Sequence, residues 1–448
     1  MSKRDDFESR LRSYLAHGAR QSPSPDLEER IRMRAFGRRL GWPAQLLAAA
    51  AVLVLALGLG FAARQVRLLG LNGSPTPSPA VSPSALVKPS AEPTATPDPR
   101  RSHYPLLPPA SMHMVNHSTG WAAGSATNRI LRTTDGGTHW NDVTPQDATA
   151  GTWITFFLDA NNAWLASSLQ SASGSPDTAV EIYRTADAGR TWQRVGVVPA
   201  DRGGPSSLDF VDASHGWLTM QLGVAMGSEG IALYGTQDGG ATWSKLSEAD
   251  TSGAPGHLPL SCQKAAPVFL TSSIGWVPGT CSAGGGPFLY VTHDGGRSWN
   301  DASLSVPVGF APSCMCGINS LRFSDSQNGV FVLDSYGADG VQHDYLYATF
   351  DGGASWMPRA PLPANCFTVD FLSAAAGWTL DAKHNTIQYT GDGGQHWSAL
   401  GTVPSSQVVV DFQFVNSAIG WAMGSETMGD TLIKTVDGGR TWTAQLAP

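Results

Sequence analysis

The chain has 448 residues, including 50 Gly, 30 Pro and 15 Trp, and only 15% of its residues are charged. Coiled coils and helical solenoids need long runs of Ala, Glu, Lys and Leu, so this composition excludes both. Residues 1–42 carry 10 Lys/Arg against 6 Asp/Glu, whereas residues 102–448 carry 14 against 28. Because so acidic a region repels phosphate, we do not expect it to bind nucleic acid.

Residues 1–42 form a basic tail, and residues 43–63 are predicted to form a transmembrane helix. The latter segment, PAQLLAAAAVLVLALGLGFAA, has no charged side chain. At ~1.5 Å per helical residue it is long enough to cross the ~30 Å core of a bilayer. The positive flank of a span stays in the cytoplasm, so the arginines before this one predict a cytoplasmic N-terminus and an extracytoplasmic C-terminal region. A cleaved signal peptide is the alternative, although its basic region would be unusually long.

Residues 64–102 are predicted to be a stalk rich in Pro, Ser and Thr. Runs such as SPTPSPAVSPS and AEPTATPDP cannot bury enough apolar surface to fold and favour extended polyproline II. We therefore expect residues 103–448 to be a single-pass protein's outer domain, held away from the membrane.

One sequence unit is repeated seven times within residues 103–448. Each copy carries the box Thr-x-Asp-(Gly/Ala)-Gly-x-x-Trp, and a second mark, usually Gly-Trp, precedes each box. The box residues are Asp135 and Trp140, Asp187 and Trp192, Asp238 and Trp243, Asp294 and Trp299, Asp351 and Trp356, Asp392 and Trp397, and Asp437 and Trp442. The second mark departs from Gly-Trp at Ala163-Trp164 and Gly329-Val330, and 13 of the 15 tryptophans occupy one of these two repeat positions.

Between the marks the residues alternate as strands do. In the third copy, SSLDFVD, HGWLTM, IALYGTQ and TWSKLS are typical of four short strands, with the box in the third turn. In that turn Gly can take positive φ, the Asp carboxylate can accept backbone N–H bonds, and the Trp can pack as an anchor. Four strands per unit of roughly 40–50 residues predict an all-β fold, a seven-bladed β-propeller of four-stranded blades closed by packing between its first and last blades.

The boxes resemble the Asp-box, or BNR (bacterial neuraminidase), repeat of sialidases and many other propellers. The Gly-Trp mark combined with the box is most similar to the photosystem II stability/assembly factor-like family. This resemblance covers residues 103–448 and implies that the box is a folding element. It also implies a non-catalytic role in assembling or stabilising a membrane complex.

Ligands of propellers usually bind at the mouth where loop length varies. Residues 167–180, 221–230 and 334–344, with the link 300–319, are the long loops that map to that face. We therefore expect a protein or glycan partner there. A single-span sensor that reports an external ligand through the cytoplasmic tail is a further alternative.

Glycoside hydrolysis is the alternative function. A sialidase resembling that family would need an arginine cluster and a tyrosine nucleophile, and the family's Phe/Tyr-Arg-Ile-Pro signature is missing. A general glycosidase needs two carboxylates about 5–10 Å apart, and no two glutamates of the repeat region are paired in sequence. Asp209, Asp370 and Asp411 fall on predicted inner strands, where we interpret them as solvated residues of a wet channel. The sequence therefore names no catalytic residue and no cofactor.

All five cysteines lie in the repeat region, as expected for a domain that matures in an oxidising compartment. They are Cys262, Cys281, Cys314, Cys316 and Cys366. Disulfides are expected among them, with at least one cysteine left over, and the spacing does not fix the pairing. Three of them stand 12 to 14 residues before the second mark of their copies, which predicts that Cys262, Cys316 and Cys366 lie near one another.

Two metal sites are weaker alternatives. Cys314, Met315 and Cys316 with Cys366 would suit a soft metal. Asp334, Asp339 and Asp344 share one loop whose carboxylates could bind Ca²⁺, but they lack the spacing of an EF-hand. We therefore assign no metal site from the sequence.

Overall fold

The computed structural model describes residues 111–446 with short gaps. The gaps are 125–127, 149–150, 170–178, 200–202, 226, 253, 283–285, 308–314, 337–341, 405–407 and 426–430. The predicted tail, transmembrane helix and stalk therefore lie outside the described residues. Within the described ranges the regular secondary structure is all β, and no helix there is long and apolar enough to cross a membrane.

The described strands form antiparallel units of four in chain order. The first three units contain β1 (Ser111–Met114), β2 (Gly120–Gly124), β3 (Arg129–Thr133) and β4 (Asn141–Asp142); β5 (Gly151–Phe157), β6 (Ala163–Leu169), β7 (Ala179–Thr185) and β8 (Gln193–Pro199); and β9 (Gly204–Phe210), β10 (Gly216–Ala225), β11 (Ser228–Thr236) and β12 (Ser244–Glu248). Unit 4 contains β13 (Gln263–Lys264), β14 (Val268–Phe269), β15 (Gly275–Cys281), β16 (Phe288–Thr292) and β17 (Asn300–Asp301).

The last three units follow the same plan. They contain β18 (Met315–Phe323), β19 (Gly329–Tyr336), β20 (Gln342–Thr349) and β21 (Met357–Pro361); β22 (Cys366–Phe371), β23 (Gly377–Asp381), β24 (Thr386–Thr390) and β25 (Ser398–Thr402); and β26 (Val408–Phe414), β27 (Gly420–Ser425), β28 (Thr431–Thr435) and β29 (Thr443–Leu446). Every box turn falls between the third and fourth strands of its unit, as the repeat pattern predicts.

Unit 4 departs from this plan in two ways. Its first strand is split into β13 and β14, which both pair with β15. The end of β15 also pairs with β18 of unit 5, through Thr280↔Gly317 and Cys281↔Cys316. Units 4 and 5 therefore share one nine-stranded sheet.

The glycine of the second mark makes room for an aromatic ring. In unit 3, a Cβ added to Gly216 would lie 2.3 Å from the ring of Phe210 on the neighbouring strand. The same contact recurs at Gly275 with Phe269, which would be 2.4 Å away. Because a larger residue would displace the ring, the packing of the first strand explains why this position is usually glycine.

The tryptophan of the second mark joins its own unit to the next one. Trp217 stacks on Phe269 of unit 4 with ring centroids 3.5 Å apart, and Trp378 stacks on Phe414 at 4.0 Å. The Trp217 indole N–H donates to the carbonyl of Gly295, the first box glycine of unit 4, at 2.9 Å. Equivalent bonds run from Trp164 to Gly239, from Trp378 to Gly438 and from Trp421 to Gly136.

The first and last units pack directly against each other. Trp421 of unit 7 donates to Gly136 of unit 1 at 2.9 Å. The Gln413 amide accepts from the Met114 N–H at 2.8 Å and donates to its carbonyl at 3.0 Å. An apolar cluster that includes Met112 and Met423 covers the same contact. The expected packing of the last unit on the first is thus present.

Trp421→Phe removes an indole donor while keeping a ring in place. We expect a loss of about 1 kcal/mol in the free energy of unfolding, because the indole bond to the Gly136 carbonyl is lost while Lys434 still donates to that carbonyl. Trp276→Phe is the matched control, since the Trp276 indole N–H has no acceptor among the described residues. Denaturant unfolding of both variants measures the difference. Equal losses would show that ring packing alone makes this tryptophan stabilising.

Candidate functional site

Each box forms the same hydrogen-bonded turn, and every box aspartate lies in it. In unit 1 the Thr133 hydroxyl donates to the Asp135 carboxylate at 3.0 Å and accepts the N–H of Gly137 at 2.9 Å. The carboxylate also accepts the N–H of His139 at 2.9 Å. The remaining carboxylates make the equivalent bond to their threonines at Asp187, Asp238, Asp294, Asp351, Asp392 and Asp437.

The box glycines supply the positive φ that the turn needs. Gly136 and Gly137 have φ of 76° and 92°, a conformation that costs glycine little and other residues more. In unit 2 the first of these positions is Ala188, with φ of 68°. The box sequence therefore encodes a fixed turn even where glycine is absent.

The box tryptophans pack beside their own turns or against a neighbouring unit. Trp140 and Trp243 donate to the carbonyl of the second box glycine, at 3.1 and 2.9 Å. Trp192 instead donates to Val143 of unit 1 at 2.6 Å. These contacts hold strands and units together, which is the role that the resemblance implies for the box.

Hydrogen bonding lowers the pKa of the box carboxyls. At Asp437 the Thr441 hydroxyl and backbone N–H lower the pKa to about 2. Because the folded-state pKa is depressed, this carboxylate stabilises the fold above its ordinary pKa of 3.8, and that contribution is lost as the pH falls through about 2.

Asp437→Asn tests this contribution. We expect a lower melting temperature than the natural protein at pH 7, because the amide cannot accept both Thr441 bonds, and a smaller difference near pH 2. Thr441→Ala keeps the carboxylate and should lower the melting temperature less. Melting curves from pH 2 to 7 measure the trend, and a difference independent of pH would contradict it.

Two carboxylates that we interpreted from the sequence as solvated, those of Asp209 and Asp370, are instead held by backbone N–H groups. The Asp209 carboxylate on β9 accepts the backbone N–H of Phe269, from unit 4, at 2.9 Å. Asp370 on β22 is 5% exposed and accepts the N–H of Phe414, from unit 7, at 2.6 Å. Both are correctly assigned to inner strands, but each bridges two units. Asp411 also lies on an inner strand, opposite Met423.

An arginine and a histidine lie near the Asp370 carboxylate. Arg322 of unit 5 forms an ion pair with Asp370 of unit 6. The pKa of His113 on β1 is lowered, first by burial and then by the charge of Arg322. The inner strands thus place His113, Arg322 and Asp370 in one electrostatic group that joins units distant in sequence.

Burial raises the pKa of Asp209 to about 6, although the N–H groups of Phe269 and Phe210 oppose the shift. A raised folded-state pKa means that the stabilising contribution is complete below the ordinary value of 3.8 and is lost as the pH rises through about 6.

Asp209→Asn keeps an oxygen acceptor for Phe269 and removes the titration. As the pH rises from 4 to 7, the natural protein should lose stability that this variant keeps. The difference in free energy of unfolding between the two should therefore grow by about 2 kcal/mol in favour of the variant, because raising a pKa by one corresponds to roughly 1.4 kcal/mol. Asp212→Asn is the control, because hydrogen bonds lower the pKa of that carboxyl. Urea unfolding of both variants across this pH range measures the difference. If the free energies of unfolding of the two variants changed with pH in parallel, the raised pKa of Asp209 would be contradicted.

A half-buried lysine and a buried glutamate join units 3 and 4. The Glu229 carboxylate accepts the N–H of Lys264 at 2.6 Å. The Lys264 ammonium donates to the carbonyls of Glu229, Leu260, Ser261 and Cys262 at 2.8–3.1 Å. Desolvation lowers its pKa to about 8. No sequence motif marks this pair, because its two members are 35 residues apart in the chain.

The described cysteines comprise one disulfide pair, one further disulfide-bonded cysteine and one free thiol. Cys262 bonds to Cys281 of the same unit, so this disulfide pins the loop before β13 to the end of β15. Cys316 is also disulfide-bonded and lies opposite Cys281 in the sheet. Cys366 is a buried free thiol whose pKa is raised by burial to about 12, and Cys314 lies outside the described residues.

Neither metal alternative gains a site. Cys316 is in a disulfide and offers no thiolate, so the soft-metal interpretation is wrong for this oxidation state. Asp334 and Asp344 face each other across β19 and β20, and Asp339 lies outside the described residues. Across the ranges that the structure describes, no three His, Cys, Asp or Glu side chains are grouped to hold a metal ion.

One tyrosine contacts a glutamate, the pair that a sialidase-like mechanism would use. The Tyr183 hydroxyl donates to Glu181 at 2.9 Å, and Arg194 also binds this carboxylate at 2.5 Å. However, Tyr183 is 1% exposed and packs against Trp121 of unit 1. Burial followed by the Glu181 hydrogen bond raises its pKa, which is the opposite of what activates a nucleophile.

Comparisons with known proteins agree with the repeat geometry. No protein-family model matches the chain. A curated relative, the photosystem II assembly lipoprotein Ycf48 of Synechococcus sp. strain CC9902, is 28% identical over 149 residues, which is 33% of this chain and 38% of the relative. The match therefore spans well under half of the relative's length.

The homology and the seven box turns of one geometry support a BNR-type propeller family for this chain.

Solved structures are also similar to this chain. YCF48 bound to D1 peptide has 15% sequence identity and a TM-score of 0.47, covering 75% of this chain and 95% of that one. The GH74 xyloglucanase from Xanthomonas campestris has 15% identity and a TM-score of 0.48, covering 76% of this chain and 54% of that one.

Proposed function

We propose that this BNR-type protein is a non-catalytic scaffold that binds a protein partner outside the cytoplasm. Residues 103–448 would form a closed seven-bladed propeller, held by a transmembrane helix at 43–63 behind a stalk at 64–102. The partner would bind at the loop-rich face, and the role would be the assembly or stabilisation of a membrane complex.

One observation carries the proposal. The carboxylates of the inner strands accept hydrogen bonds from neighbouring units. Asp209 and Asp370 each accept a backbone N–H from another unit, and Glu229 is bound by Lys264. A glycosidase needs two carboxylates open to the sugar on either side of the scissile bond. Carboxylates that hold backbone donors in the folded state support a binding surface over a hydrolytic site.

The curated relative supports a role in the assembly of a membrane complex. Its description as an assembly lipoprotein fits a propeller that assists a membrane complex, although the match covers 33% of this chain. The acidic excess of residues 102–448 favours a partner with a basic surface. Photosystem II itself is outside the proposal, because no residue of this chain identifies the complex.

The test uses the full chain, tagged at its C-terminus and crosslinked in membranes of its native host. We expect one membrane complex in stoichiometric amount. Replacing residues 170–178 with a Gly-Ser linker should reduce the yield at least several-fold, because these residues belong to a long segment that the sequence predicts on the proposed face. Phe350→Ser with Val436→Ser is the control, since these side chains are exposed at box turns, 40% and 67%.

One result would contradict the scaffold role, and another would contradict the proposed binding face. Recovery of polysaccharide alone, followed by its cleavage, would favour the glycan-binding or glycoside hydrolase alternative. A partner captured equally well by the loop variant would place binding elsewhere on the propeller. Protease digestion of the tagged domain in intact cells, but not of the N-terminal tail, is the expected result for the proposed topology.

A further inference from the structure

In three units a cation lies over the tryptophan of the second mark. The cross-strand partners are Arg132 for Trp121, Arg184 for Trp164, and Lys434 for Trp421. The charged groups lie 5.3, 5.1 and 4.9 Å from the ring centroids. Since the next unit's aromatic ring stacks on Trp121 and on Trp164, the cation covers the other ring face.

Two of these cations also bind carbonyl groups of the following unit. The Arg132 guanidinium donates to the carbonyl of Ala160 at 2.8 Å. The Lys434 ammonium donates to the Gly136 carbonyl at 3.3 Å, the group that also accepts the Trp421 indole N–H. The position is therefore a built cation slot, with an aromatic face on one side and carbonyl oxygens on the other.

Unit 3 has the slot without the cation. The cross-strand partner of Trp217 is Gly235, which has no side chain. A groove of about 270 Å³ opens there, and it is lined by Trp217, Gly235, Leu246, Ser272, Gly295 and Arg297 among others. Trp217 is 5% exposed, whereas Trp121, Trp164 and Trp421 are completely buried.

The acceptors of the filled slots recur in this groove. Ser272 stands three residues after Phe269, as Ala160 stands three after Phe157. Gly295 is the first box glycine, equivalent to Gly136, and its carbonyl accepts the Trp217 indole N–H. The backbone also matches, because a Cβ on Gly295 would lie 2.8 Å from the Ser272 carbonyl and one on Gly136 would lie 2.9 Å from that of His117.

We propose that this groove binds an arginine side chain of a protein partner. A guanidinium can lie flat on the indole while donating to two carbonyls, which a compact ammonium does less well. The groove lies at box turns, apart from the loop-rich face, and its partner class rests on the proposed protein binding. The groove would give the partner a second point of contact besides the loop-rich face, and this contact would recognise a single arginine side chain of the partner.

Arg297 does not exclude a second guanidinium. Its own guanidinium donates to the Asp294 carbonyl at 2.7 Å. The filled slot of unit 1 shows the same neighbourhood, because Arg132 lies close enough to Arg190, the box residue equivalent to Arg297, for their charges to interact. The acidic excess of residues 102–448 also favours a cationic ligand.

The probe is N-acetyl-arginine methylamide, titrated into the full chain in detergent micelles with ¹⁵N-labelled tryptophan. The Trp217 indole resonance is assigned with Trp217→Phe. We expect a saturable shift of that resonance at millimolar probe, and at least tenfold weaker binding of the citrulline derivative, which is neutral and has the same shape. No shift, or an equal response to citrulline, overturns the proposal.

A filled slot is the matched variant. Gly235→Arg with Leu246→Val restores the pairing of units 1 and 2, where valines occupy the position of Leu246. Leu246 has to change because its Cδ1 would lie 2.6 Å from a Cβ at position 235. We expect this double variant to keep its melting temperature and lose the probe, and retained binding overturns the proposal.

The reverse variant, Arg132→Gly, empties the slot of unit 1. We expect it to add a second titrating indole, that of Trp121, and a folded variant without the new site overturns the proposal even if the double variant fails to fold. Partner capture from membranes that persists while no arginine binds would overturn this inference alone and leave the scaffold function standing.

Discussion

The contact between the second-mark tryptophan and the following unit is the interaction on which the rest of the structure depends. A four-stranded antiparallel unit has two apolar faces, and neither can be buried within the unit. The tryptophan covers one of them by stacking on the next unit's phenylalanine, and its indole N–H satisfies a carbonyl of the next box. The box turn must therefore be rigid, because it presents an acceptor to a neighbour.

This constraint explains which parts the sequence can predict. The strands, the box turns and the direct packing of the last unit on the first follow from local alternation and from repetition. The bridging roles of Asp209 and Asp370 do not, because each depends on a backbone N–H 44 or 60 residues away. The Lys264 contacts and the pairing of β15 with β18 are likewise set by three-dimensional proximity, which spacing along the chain does not encode.

The seven units differ in structure at the positions where their sequences depart from the repeat. Unit 5 has Val330 where the others have tryptophan, and an ion pair between Arg322 and Asp370 joins it to unit 6. Unit 3 has Gly235 where three other units have a cation, and a groove results. The residue that precedes the box threonine varies freely in sequence, so aligning the seven copies is the signal that would have revealed this groove.

The joint between the first and last units differs chemically from the others. Where the other inner strands end in phenylalanine, β1 ends in Met114, and Met112 and Met423 belong to the same apolar cluster. A thioether is oxidised to a polar sulfoxide far more readily than a phenyl ring is modified. These three methionines are at most 8% exposed, so the integrity of the joint between the two ends of the repeat array depends on keeping oxidants away from their thioethers.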